Sequence, residues 1–204
     1  MKKNKGILFV VSGPSGAGKT TLYKKAISVL PHLMHSVSYT TRSPRAGEVN
    51  GRDYTFINRE EFMTMIHKKE FAEWAEMHGE LYGTARKRLE EIMNSGVDAI
   101  LDIDVQGAMQ LKEKLPGGVF IFILPPSLEI LRERLEQRMA NVKEEIEKRL
   151  AVALGEMKKY LEYDYVIVNS IFEDAFKELE SIIIANRARV EQISSEWIKE
   201  NFFK

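Results

Sequence analysis

The sequence predicts an α/β domain built on a parallel sheet, and three observations carry that prediction. Four short apolar runs, Ile7 to Val11, Ala99 to Ile103, Val119 to Leu124 and Tyr165 to Val168, are continuous rather than alternating, as in strands buried on both faces. Segments with helical spacing separate them. The first run ends in a glycine-rich turn that leads straight into such a segment.

Taken in order, Ile7 to Val11 is read as the first strand; it is too short and too closely followed by Gly13-Pro14-Ser15-Gly16 to be the core of a signal peptide. A helix is predicted from Lys19, with Leu22, Ala26, Ile27 and Leu30 at helical spacing and Pro31 at its end. Ser36 to Tyr82 breaks the rhythm. Rich in Thr, Arg, Gly and Tyr, with alternating pieces such as Tyr54-Thr55-Phe56-Ile57, it reads as a small inserted subdomain. After Pro125-Pro126 the chain is strongly charged, with Arg132, Arg134, Arg138 and Arg149 on helical sequence, which suits a solvated, movable cover. From Glu145 the apolar positions Ile146, Leu150, Ala153, Leu154, Met157 and Leu161 return to a core pattern. Between Asp174 and Phe202, Phe176, Leu179, Ile183, Val190, Ile193 and Trp197 fall largely on one helical face. That face predicts a helix packed on the core or, alternatively, one that pairs subunits into a homo-oligomer. The division expected is core at 1–37, inserted subdomain at 38–88, core at 89–124, lid at 125–149, and core with C-terminal helix at 150–204.

Composition limits the function. A chain of 204 residues, 44% hydrophobic, can bury one sizeable core. Thirty basic residues balance thirty acidic ones, so no global field favours nucleic acid or an anionic membrane, and any anion site must be built locally. The absence of cysteine excludes disulfides, thiolate metal sites and cysteine nucleophiles. The four histidines, His32, His35, His67 and His78, have no zinc-like grouping. No stretch approaches the roughly 20 apolar residues that span a bilayer, so a cytoplasmic protein is expected.

Gly13-Pro14-Ser15-Gly16-Ala17-Gly18-Lys19-Thr20 fits G-x-x-x-x-G-K-(S/T), the phosphate-binding P-loop, between a predicted strand and a predicted helix. Glycines let backbone N–H groups turn inward around phosphate oxygens, and the helix N-terminus adds partial positive charge. Lys19 is expected at the β- and γ-phosphates and the Thr20 hydroxyl at Mg²⁺. The Asn-Lys-x-Asp guanine signature of GTPases is missing, since Asn4-Lys5 is followed by Gly6-Ile7. Asp102 and Asp104 stand at the end of a predicted buried strand, where one of them orders Mg²⁺ or serves as a helix cap.

A second anion motif follows. Thr40-Thr41-Arg42-Ser43-Pro44-Arg45-Ala46-Gly47-Glu48, then Gly51-Arg52-Asp53-Tyr54, resembles the monophosphate-binding signature of guanylate kinases at every fixed position. The resemblance extends through Glu70 to Ala75, Tyr82-Gly83-Thr84, Ile100 to Asp104, the paired prolines and Val166 to Asn169, covering roughly residues 6 to 185. Two arginines three residues apart, stiffened by Pro44, can present forked donors to a dianionic phosphate.

What the resemblance implies is a P-loop three-layer fold with a GMP-binding subdomain and a helical lid. The implied activity is transfer of the γ-phosphoryl group of ATP to GMP, with dGMP also accepted. ATP would be held by Gly13 through Thr20, Thr21, Arg134 and Asn169. Arg42, Arg45, Tyr54 and Tyr82 would hold the GMP phosphate; Glu73 and Asp102, with the hydroxyls of Ser38 and Thr84, would read guanine. Thr84 replaces the serine of many members and keeps the hydroxyl. Lys19, Arg42, Arg138 and Arg149 would be the catalytic cations, with Thr20 and Asp104 at the metal. The lid departs from the family, having Met139-Ala140-Asn141 where Gly-Thr-Asp or Gly-Thr-Glu usually follows the second arginine. The alternatives are another nucleoside-monophosphate kinase, or a guanylate-kinase-like scaffold module that binds peptides.

Overall fold

The computed structural model describes residues 5–77, 79–138 and 143–203, the side chains of positions 138 and 143 excepted. Its centre is a five-stranded sheet of β1 (Leu8–Ser12), β2 (Leu33–His35), β7 (Asp98–Asp102), β8 (Val119–Leu124) and β9 (Tyr165–Val168), in the order β2-β7-β1-β8-β9. Every pairing is parallel. The continuous apolar runs have their expected cause. Side chains alternate across β1, so Phe9 and Val11 pack with α1 (Lys19–Val29) and α7 (Phe172–Arg187) on one face. Leu8 and Val10 pack with α3 (Arg86–Asn94) and α4 (Val105–Lys114) on the other. Three layers result, and each fully buried Leu, Ile or Phe contributes about 1.5–3 kcal/mol. Asp98, at the start of β7, is buried, accepts from the Ile7 N–H at 2.9 Å and takes Arg187 Nε at 2.6 Å, tying α7 to the sheet.

The inserted segment forms a second, mixed sheet of β3 (Tyr39–Thr40), β4 (Thr55–Phe56), β5 (Phe71–Met77) and β6 (Glu80–Ala85), in the order β4-β3-β6-β5. The helix α2 (Arg59–His67) packs Phe62 on Phe71 and Leu81 as a small core of its own. Asn58 and Glu61 form a reciprocal capping box at its start.

Two expectations need correction, and one strand has no counterpart in the sequence reading. β2 was not read from the sequence, because three residues with Met34 exposed leave no apolar run. The residues from Ile146 onward do not rejoin the main core. They belong to α6 (Lys143–Met157), and Ile146, Leu150 and Ala153 bury against Leu131 and Leu135 of α5 (Leu128–Arg138) in a separate cluster, while Leu154 and Leu161 are exposed. Finally, the C-terminal face is broken: α7 ends at Arg187, and α8 (Ser195–Phe202) starts anew from Ser194, whose hydroxyl accepts the Trp197 N–H. Val190, assigned to the same face, is 77% exposed between them. The boundaries drawn at 88/89 and 149/150 fall inside α3 and α6. No helix among the described residues is long and apolar enough to cross a membrane.

Candidate active site

A cleft of about 430 Å³ opens at the carboxyl ends of β1 and β7, where parallel sheets present their ligand sites. The loop after β1, the small sheet and α6 line it from three sides.

Gly13, Gly16 and Gly18 all have positive φ in the loop. At Gly18 a Cβ would also lie 2.2 Å from Asn169 Nδ2, so no side chain fits there. Gly18 is the N-cap of α1 with no side-chain cap, and the first turn holds no acidic residue. An uncapped helix start opening on Lys19 is built for an anion. Lys19 Nζ donates to the carbonyls of Gly13 at 2.8 Å and Pro14 at 3.2 Å, which holds the ammonium over the loop. Ala17 is buried beneath it, and Thr21 is exposed on α1 and does not line the cleft. Asn169 Nδ2 donates to the Ala17 carbonyl at 2.8 Å, while Arg134 donates to the Asn169 carbonyl at 3.1 Å and reaches the Gly16 carbonyl at 3.5 Å. Both residues brace the loop from behind.

The two carboxylates take different parts. Asp102 accepts the Thr20 hydroxyl at 2.9 Å and lies 4.0 Å from Lys19 Nζ, beside the loop, in the same cleft as Glu73 and Ser38. Asp104, expected at the metal, caps α4: its Oδ1 accepts the N–H groups of Gln106 at 2.7 Å and Gly107 at 3.0 Å.

On the opposite wall, Glu48 clamps Arg42 in a two-pronged pair at 2.7 Å for both bonds and accepts the Arg45 N–H at 2.7 Å. The Arg42 guanidinium stands 5.1 Å from the Tyr54 ring and 5.6 Å from that of Phe56. Hydrogen bonding to Glu48 raises the Arg42 pKa, and the same bonds hold Glu48 below the usual carboxylate range. Tyr54 meets Tyr82 edge to face, with centroids 6.0 Å apart, and burial pushes the Tyr54 hydroxyl well above its ordinary value. Arg42, Arg45, Tyr54 and Tyr82 all line the cleft.

Deeper in, Glu73 is 1% exposed on β5. Thr84 of β6 donates its hydroxyl to Glu73 Oε1 at 2.6 Å, and Ser38 Oγ lies 3.4 Å from Thr84 Oγ1. Burial pushes Glu73 up to about 7; the Thr84 hydrogen bond opposes that rise and the Asp104 charge adds to it.

The helix α6 contributes Arg149, which donates to Glu145 at 2.9 Å, while its buried Nε has no hydrogen-bond partner among the described residues. The side chain of Arg138 and the departure at Met139-Ala140-Asn141 lie outside the described residues.

The family model described as Guanylate kinase matches residues 5–186. The chain belongs to the guanylate kinase family. It is 54% identical to the guanylate kinase of Geobacter metallireducens over 200 residues, covering 98% of each chain, and 49% identical to that of Salmonella typhimurium over 187 residues, covering 91% of this chain and 90% of the relative. The crystal structure of guanylate kinase from Anaplasma phagocytophilum superposes with a TM-score of 0.83 at 35% identity, over 100% of this chain and 98% of that one.

Sequence reasoning missed part of this guanylate kinase's site. Val152 and Glu156 line the cleft beside Arg149 on α6. Their spacing of three and seven residues puts them on Arg149's helical face, a signal that was available. Burial raises Glu156 to about 7 against the opposing pull of Lys19. Lys24 of α1 meets Asp53 of the inserted segment at 2.7 Å, an ion pair between the two parts of the guanylate kinase that no local pattern could reveal.

Proposed function

We infer that this guanylate kinase transfers the γ-phosphoryl group of ATP directly to GMP, giving ADP and GDP, and accepts dGMP as well. One observation carries the reading: an uncapped phosphate loop, a guanidinium fork and a buried carboxylate–hydroxyl chain share one cleft.

Lys19 and the loop N–H groups take the donor phosphates, and Arg42, Arg45, Tyr54 and Tyr82 take the acceptor phosphate. Guanine offers N1–H and N2–H₂ to Glu73. The Thr84 proton is already committed to Glu73, so Ser38 is the donor in its 3.4 Å contact with Thr84, and its hydroxyl would turn from that long bond to donate to guanine O6. Adenine reverses the polarity at N1 and position 6, leaving buried groups unpaired.

Mg²⁺ fits the oxygens of Thr20 and Asp102, 2.9 Å apart beside the loop. Two hard oxygen donors suit an ion that keeps several waters and takes its remaining ligands from phosphates. When bound, it supplies charge that neutralises the β- and γ-phosphate oxygens. An acceptor phosphate oxygen is already anionic, so no general base is required. The obstacle is charge: each unit pair at about 4 Å repels by about 4 kcal/mol at an effective dielectric of 20. Lys19, Arg42 and Arg149, with Arg138 assigned from sequence, offset that repulsion while aligning donor and acceptor.

An ADP-release assay with GMP, dGMP, AMP, CMP and UMP tests the proposal. Fast turnover is expected with the two guanine nucleotides alone; preference for another base overturns the reading, and no ADP with any acceptor would favour a peptide-binding module.

The same site predicts a pH dependence. Below about pH 7 Glu73 of the free protein holds a proton and cannot accept two guanine donors. Binding therefore favours the ionised form, so KM for GMP should rise as pH falls from 7, approaching tenfold per unit. The GMP phosphate titrates near 6 in any variant. The ratio of KM in the parent protein to KM in Glu73→Gln isolates the carboxyl, and a ratio flat from pH 5.5 to 8 would contradict the assignment.

A further inference from the structure

Gly107 lies in the first turn of α4, buried, two residues after the turn begins at Val105. Its backbone gives no reason for glycine, because its φ is not among the positive values. Glycine is among the poorest helix formers, so alanine would suit α4 better on propensity alone. Space supplies the reason. A Cβ on Gly107 would lie 2.4 Å from Glu73 Oε2 and 3.1 Å from Glu73 Cδ, with Ile103 Cδ1 next at 3.6 Å.

The first contact is closer than atoms tolerate, so something must yield. The α4 backbone is held by the Asp104 cap, whose carboxylate takes the Gln106 and Gly107 N–H groups. Gln110, one turn on, brackets β5 by donating to the Trp74 carbonyl at 2.8 Å and accepting its N–H at 3.4 Å. Lys114 adds a second tie to β5, donating to the Ala72 carbonyl at 2.8 Å. The helix start is thus fixed by its cap and the helix is fastened to the strand beyond the contact, which leaves the free end of the Glu73 side chain as what can move. Displacing it would also break the 2.6 Å Thr84 bond that aims it.

We propose that Gly107 is a positioning residue for acceptor choice: it is kept free of a side chain so that the Glu73 carboxylate can lie against the start of α4 and face the base. The proposal rests on the reading of Glu73 as the guanine-recognising group. Gly107 itself touches no substrate.

The test is Gly107→Ala, assayed with GMP and with IMP, which lacks the 2-amino group. Misplacement of a recognition group by about 1 Å can cost on the order of 100-fold, and a loss of that size is expected in kcat/KM for GMP, borne chiefly by KM. The GMP-over-IMP preference should shrink with it. KM for ATP should stay within about twofold, and Tm should fall by only a few degrees, since the better helix former offsets part of the crowding. In a Glu73→Gln background, where a side chain of the same size meets the same crowding but the carboxylate that recognises guanine is already lost, the added alanine should cost GMP use little more. GMP kinetics like the parent's, a parallel loss in ATP binding, full additivity with Glu73→Gln, or failure to fold would each overturn the proposal. Guanine preference untouched in Glu73→Gln alone would instead remove the reading of Glu73 on which it stands.

Discussion

A Lys19→Met variant should fold normally and still bind GMP, yet turn over ATP and GMP about 100- to 1,000-fold more slowly. The Lys19 ammonium is held over the loop by the Gly13 and Pro14 carbonyls, 2.8 and 3.2 Å away. Its interaction with the moving phosphoryl group therefore requires little reorganisation. Methionine keeps most of the stem and removes the charge, so packing changes little while transition-state stabilisation is lost. The loss should fall on kcat and on kcat/KM for ATP, with KM for GMP within a few-fold, because the Arg42 and Arg45 wall is untouched. Steady-state kinetics with each nucleotide varied in turn check this. A kcat within threefold of the parent would mean that the ammonium is only a structural tie for the loop.

Glu73→Gln should do two opposite things. In the cleft, the amide offers a donor where guanine also donates, and kcat/KM for GMP should fall by about 10⁴-fold. In stability the sign reverses. The Glu73 carboxyl titrates near 7 in the folded protein against an ordinary 4.5, so the native state binds the proton more tightly than the unfolded chain. The stability this group supplies is full below about 4.5 and is lost as pH rises through 7. At pH 8 the carboxylate costs about 3 kcal/mol, an order-of-magnitude figure from that shift, and glutamine removes the cost. The variant should melt higher than the parent at pH 8, with the gap closing toward pH 5. Thermal scans across that range test it; a gap independent of pH would contradict the raised pKa. Stability given up to keep a buried charge is the usual signature of a functional site.

Much of this site is legible before any coordinates. The P-loop and the segment from Thr40 to Tyr54 are readable because their chemistry is local: glycines that must turn, and two arginines fixed by an intervening proline. The buried strands are readable because continuous apolar runs have few other uses. What fails is the assignment of partners. Asp102 and Asp104 are equivalent as letters at a strand's end, and only the ladder decides which one ends β7 and which starts α4. A cap signal was present, since Asp104 immediately precedes the helical stretch. The same limit applies to Ile146, Leu150 and Ala153: periodicity shows that a face is covered, and not what covers it. The break after Arg187 also had a local sign in Ser194, a good N-cap within what otherwise reads as one long apolar face.

The way α5 and α6 share their apolar side chains has an energetic corollary. Because Leu131 and Leu135 are already covered by Ile146, Leu150 and Ala153, most of the hydrocarbon of α5 and α6 is buried within the pair, and only the edge of Leu131 and Leu135 that faces Gly16 is shared with the phosphate loop. The polar ties from the pair to the loop are chiefly the bonds of Arg134 to the Gly16 and Asn169 carbonyls, which water can replace. If this pair is the movable cover expected from the sequence, a latch of exchangeable hydrogen bonds would let it release product on the microsecond-to-millisecond scale of such motions without loosening the three layers beneath it.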